Sequence, residues 1–141
     1  MKIASHLKLL LARARAPWTA LLLLVPGLAG CDETPKERLS GRWVGERIEQ
    51  FDPSHADRAL GWVQGTFFEF KGSQVTVGIP AESPRTGTYK IARASEDDLN
   101  LVFHRPQGIY DEVAMRFEGE DQLRWMFPDG RSIILRKQAT D

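Results

Sequence analysis

From Leu39 onward, apolar and polar residues alternate with a period of two rather than 3.6, which constrains the chain to strands. Thr66, Phe68 and Phe70 share one face, with Glu69 and Lys71 on the other. Val75, Val77 and Ile79 form a second series, Tyr89 and Ile91 a third, and Leu99, Leu101 and Phe103 a fourth. Val113, Met115 and Phe117 follow, then Leu123, Trp125 and Phe127, then Ile133 and Leu135. Turn-forming residues separate these runs, among them Lys71-Gly72-Ser73, Pro84-Arg85-Thr86-Gly87, Glu96-Asp97-Asp98 and Pro128-Asp129-Gly130. With a first strand near Arg42–Gln50, the pattern predicts eight strands. One apolar and one polar face per strand is the mark of antiparallel pairing with one side in water. Regular hairpins make an all-β, single antiparallel up-and-down barrel the simplest solution, because closure leaves no exposed edge. A β-sandwich is the alternative.

One connection departs from the hairpin rule. Residues 52–65 are too long for a turn, and Asp52-Pro53 reads as a cap and first position of a short helix that Gly61 would end. Long connections in small domains serve as lids or binding loops. Within this one, His55, Leu60 and Trp62 are candidate contacts for a ligand or partner. Trp62 is either the apolar anchor of a lid or an exposed aromatic that meets a partner. The inward-facing set is bulky: Phe68, Phe70, Tyr89, Phe103, Phe117, Trp125 and Phe127. An eight-stranded barrel is wide enough either to be filled by such side chains or to hold one small ligand. A solid aromatic core and a small apolar pocket under the lid, with Tyr89 on its wall, are both open.

The N-terminal region carries an address. Lys2, Lys8, Arg13 and Arg15 precede an apolar core containing Leu21-Leu22-Leu23-Leu24-Val25, and no acidic residue occurs before Asp32. The apolar stretch is shorter than the roughly 20 residues a membrane-spanning helix needs, and the three-part pattern is that of a secretory signal. It ends in Leu28-Ala29-Gly30-Cys31, whose cysteine is the chain's only one. An exported protein with one cysteine cannot close an internal disulfide. The motif resembles the lipobox of bacterial lipoproteins, which implies diacylglycerol on the Cys31 sulfur, with an N-acyl chain as a possible addition, and cleavage before it. Asp32 resembles the residue that retains enterobacterial lipoproteins in the inner membrane; which membrane applies here stays open. The expected organisation is a signal peptide over 1–30, a lipidated N-terminus and tether over 31–37, a barrel over 38–138 and a tail over 139–141. The expected location is the cell envelope, anchored by lipid and facing the periplasm.

Removing 30 of the 141 residues leaves 111, which suffices for one domain. It also removes four positive charges, so 15 basic residues face 19 acidic ones, a net charge of −4. No basic patch suggests nucleic acid. His55 and Asp57 are the nearest approach to metal-ligand spacing, and a solvated loop accounts for them better. No serine-nucleophile or phosphate-loop motif occurs, and adjacent carboxylates such as Asp111 and Glu112 fall on opposite faces of a strand. No enzyme activity, metal or cofactor is expected, and the chain is expected to be monomeric.

Gly41-Arg42-Trp43, led by Leu39-Ser40, resembles the Gly-x-Trp signature that opens the first strand of lipocalins and bacterial lipocalin-like domains. The resemblance implies that Trp43 plugs the closed end of the barrel. It implies that a basic residue of the last strand, Arg136 with Lys137 or Arg131 as substitutes, packs across the indole. It also implies that residues 52–65, between the first two strands, cover the open end. Two functions fit. One is a non-catalytic, membrane-anchored barrel that binds a small apolar or lipid-like ligand. The other is a protein-interaction module, an envelope accessory or hydrolase inhibitor, with a solid aromatic core.

Overall fold

Every alternating run becomes a strand in the computed structural model, which describes residues 32–139. The strands are β1 (Gly41–Glu49), β2 (Phe67–Lys71), β3 (Gln74–Gly78), β4 (Arg85–Ser95), β5 (Asp98–His104), β6 (Tyr110–Phe117), β7 (Gln122–Met126) and β8 (Ser132–Lys137). Each pairs antiparallel with the next, and β8 returns to pair with β1, so the sheet is a closed, up-and-down, lipocalin-like barrel. The sandwich alternative is excluded. The signal peptide expected over 1–30, the lipidation expected at Cys31 and the last two residues of the expected tail lie outside the described residues.

Alternation decides which side chains enter the barrel, and two bulges reset it. In β1 the register shifts between Gly45 and Arg47, so Trp43 is buried and Ile48, five residues on, packs partly buried against the same core. A second shift lies between Ile91 and Arg93 in β4. A bulge adds one unpaired residue and bends its strand, as closing a small sheet requires. The buried set includes Trp43, Phe68, Phe70, Leu101, Met115, Phe117, Leu123 and Leu135.

The two ends of the barrel are closed differently. At one end the connections are short: Gly72-Ser73 between β2 and β3, Glu96-Asp97 between β4 and β5, and residues 118–121 between β6 and β7. The connection between β2 and β3 turns at Gly72, whose φ of +60° favours glycine. A helix, α1 (Pro35–Leu39), approaches this same end. Residues 32–37 are therefore not all tether. Thr34 and Glu37 form a reciprocal capping box, Pro35 occupies the first turn, and Leu39 is buried in the core. Five residues make a marginal helix in isolation, so burial of Leu39 and side-chain bonds to the barrel hold it.

The open end carries the longer connections. Between β1 and β2, Asp52 caps a 3-10 turn over Pro53–His55 by accepting the Ser54 amide at 2.9 Å, and α2 (Ala56–Gln64) follows. Gly61 does not end this helix. It lies inside it with open space around its Cα, and Gly65 caps the C-terminus. The helix packs on β1 and buries Val63. Gly45 makes that packing possible, because a Cβ there would fall on the Val63 carbonyl oxygen. The Gly45 amide donates to the Thr66 carbonyl at 2.8 Å, and the Thr66 hydroxyl donates to the Trp62 carbonyl at 3.0 Å.

Candidate functional site

The closed end is sealed around Trp43. Its indole is fully buried, its Nε1 donates to the Leu39 carbonyl at 2.7 Å, and its ring lies 6.4 Å from that of Phe117. The cation beside it is Lys137, not Arg136. Lys137 pairs opposite Trp43 in the β1–β8 ladder, so both project to the same face; its Nζ sits 5.2 Å from the ring centroid and donates to the Arg38 carbonyl at 3.1 Å. Arg136 pairs opposite Val44, faces outward, and binds Glu46 at 3.0 Å and Asp121 at 2.7 Å. Arg131 belongs to the opposite end, in the connection between β7 and β8. Phe70, Tyr89, Leu99 and Leu101 fill the interior adjoining the plug.

At the other end the filling stops. A cavity of about 660 Å³ opens between β2–β7 and their connections. Phe68, Val75, Val77, Phe103, Val113 and Trp125 form its apolar walls, with Ile79 and Phe127 towards the rim. The aromatic members brace one another: Trp125 meets Phe68 edge-on at 5.0 Å and Phe127 at 4.4 Å. The rim is polar, but its guanidinium groups are paired. Arg85 binds Glu82 at 2.9 Å, and Arg105 Nη2 donates to Asp111 at 2.9 Å while its Nε lies 2.8 Å from the second carboxylate oxygen. Such pairs add little stability at this exposure. Their effect is local: each fixed positive charge on the rim already has a carboxylate beside it.

A second cleft of about 460 Å³ lies under α2, walled by Ile48, Phe51, Ile133 and Phe127 and by His55, Arg58 and Trp62. Phe127 borders both spaces. The sequence-predicted ligand residues therefore separate. His55 and Trp62 border the cleft under the helix, not the larger cup. Leu60 borders neither and is 39% exposed. Tyr89 borders neither as well: it is buried edge-on to Phe70 at 5.0 Å, and desolvation pushes its phenol pKa upward. Burial here comes from the inward phase of β4 combined with a position near the filled end. His55 is held by local contacts alone, with Nδ1 at 2.9 Å from the Ser54 hydroxyl and 3.7 Å from Asp52.

The wall residues Val77, Val113 and Trp125 follow from alternation. The rim residues do not stand out in the sequence, because Arg105 and Asp111 flank a connection where the strand pattern has ended. Their signal is phase: Arg105 continues Leu101 and Phe103 inward, and Asp111 precedes Val113 and Met115 on the same face.

No protein-family model matches the chain, and neither does any curated protein or solved structure. Among the described residues, no group of three or more His, Cys, Asp or Glu is placed to hold a metal, and no helix is long and apolar enough to cross a membrane.

Proposed function

We propose that this chain is a cell-envelope lipoprotein, anchored through Cys31, whose barrel binds a small apolar or lipid-like molecule in the cup and does not transform it. The supporting observation is the cup itself. Its volume of about 660 Å³ is lined by aromatic and branched aliphatic side chains. Sites for small molecules are concave, mostly apolar and of roughly 300–1,000 Å³. A barrel that served only as a solid support would gain stability by filling this space, since buried apolar area contributes about 25 cal/mol per Å². The anchor rests on the lipobox resemblance at Leu28-Ala29-Gly30-Cys31.

The test is titration with 1-N-phenylnaphthylamine, an uncharged apolar probe that fluoresces when it leaves water. Wild type is expected to bind it saturably. Val77→Trp, which puts an indole into the cup, is expected to lose binding while keeping a cooperative unfolding transition. Absence of saturable binding by folded wild type overturns the proposal.

A second reading, a protein-interaction module, is favoured by Ile109 and Tyr110, which are 46% and 62% exposed beside the mouth. Under that reading, Ile109→Ser with Tyr110→Ser abolishes partner capture, and Val77→Trp leaves it intact.

A further inference from the structure

The chain enters the barrel at the end opposite the cup. The elements of α1 are fixed there by independent contacts. Lys36 Nζ reaches the Ser73 hydroxyl at 3.3 Å, and Arg38 binds Asp97 at 2.9 Å while its guanidinium covers the Phe117 ring at 3.9 Å. Leu39 is buried, and Lys137 holds the Arg38 carbonyl. Thr34 is itself bound into the capping box. Only Asp32 and Glu33 then separate Cys31 from the fixed chain.

Covalent reach therefore sets the orientation. Three Cα–Cα steps from Cys31 to Thr34 cover at most about 11 Å. Strand β5 has seven residues, and at about 3.3 Å per residue with a tilt of 35–45° it rises roughly 15 Å along the barrel axis. The connections around the mouth extend beyond that. A leash of this length cannot run back along the wall and bring the mouth to the surface that holds the Cys31 lipid. We infer that the barrel stands closed end towards its anchoring membrane, with the cup facing away, so that the ligand is exchanged on the aqueous side and not drawn directly from that bilayer. This inference rests on the lipidation of Cys31 proposed above. The exposed large apolar side chains of the described residues sharpen its meaning. Leu60, Trp62, Ile109 and Tyr110 all belong to the open end, where they would suit entry into a bilayer that the leash places out of reach.

The experiment uses the full chain, processed in cells and purified from their membranes. It is inserted into preformed vesicles containing lipids with a nitroxide headgroup. A thioether at Cys31 leaves no other thiol, so one introduced cysteine takes one fluorophore. Ser83→Cys labels the mouth, and Glu120→Cys labels the closed end. Wild type should float with the vesicles and refuse thiol reagents, and quenching at position 120 should be several-fold stronger than at position 83. Flotation with equal quenching, or with stronger quenching at 83, overturns the orientation alone. Wild type that fails to float, or that carries a reactive thiol, overturns the anchor and the orientation together.

Discussion

The closed and open ends of this barrel are built from the same eight strands and reach opposite solutions. At the closed end three short turns and α1 leave no space: Trp43, Phe117, Leu123 and Leu39 are buried, and Arg38 and Lys137 lay their charges over the aromatic rings. At the open end the connections lengthen, the aromatic side chains line a space without filling it, and the backbone is strained. Of the four non-glycine residues with positive φ among the described residues, Gln50, Ala81 and Gln107 lie in open-end connections and only Glu96 in a closed-end turn. Such conformations cost on the order of 1–3 kcal/mol each and concentrate where a surface is shaped for a ligand. One end therefore supplies stability, and the other spends part of it on shape.

Exchanging the two interior tryptophans tests that division most severely. Trp43→Ala should cost about 3–5 kcal/mol, the usual range for emptying a fully buried aromatic site. It also strands the Leu39 carbonyl and removes the ring beside Lys137. Trp125→Ala should cost less than half as much, because its indole is only partly buried and already faces the cup, yet it should weaken binding of the apolar probe. Urea unfolding of both variants measures the difference. Equal losses would mean that the cup wall carries as much of the fold as the plug.

Strand number, order and closure were legible because a run of alternation remains in each strand despite the bulges in β1 and β4, and the buried Trp43 was legible from the resemblance carried by Gly41-Arg42-Trp43. Three features were not. The cation over Trp43 depends on register between the first and last strands, and a one-residue difference separates inward Lys137 from outward Arg136. Helix α1 carries a local start signal in Thr34-Pro35-Lys36-Glu37, but five residues are too few to be stable alone, so its formation depends on tertiary contacts. The cup depends on how far the large side chains reach along the axis: Phe68 and Tyr89 both belong to the buried set, but one walls a cavity and the other packs against Phe70. Period alone says which face a residue takes and leaves its depth open.

Gly45→Ala should separate α2, which borders the second cleft and not the cup, from the barrel with a smaller loss. The added methyl meets the Val63 carbonyl, a backbone atom that moves only if α2 moves. Overpacking of this kind typically costs about 1–3 kcal/mol. The signature is regional: limited proteolysis should accelerate within residues 52–65, while amide exchange around Trp43 stays slow. Uniform acceleration across the barrel would show that α2 belongs to the same cooperative unit as the closed end.

The smallest effect expected is electrostatic. On the outer wall, Arg124 reaches from Glu118 in a closed-end turn to Glu49 and the Ser132 hydroxyl at the open ends of β1 and β8, and the Arg124 hydrogen bond holds the Glu49 carboxyl below its usual pKa, with Arg47 adding to the shift. At the closed end, Arg116 does the same to Asp98. A carboxylate whose folded pKa is depressed contributes stability that is full above its unfolded pKa, about 4.3 for glutamate, and lost as pH falls through the lower folded value. Glu49→Gln should therefore lower the unfolding free energy from urea titration at pH 7, by no more than the roughly 1 kcal/mol of a partly exposed pair. The gap from wild type should close as pH drops below about 4 and should narrow in high salt. The same series on Asp98→Asn compares the ends directly. A gap for Glu49→Gln that persists unchanged in acid would assign its cost to packing around Arg124 and not to charge, and would make that side chain a structural joint between the two ends.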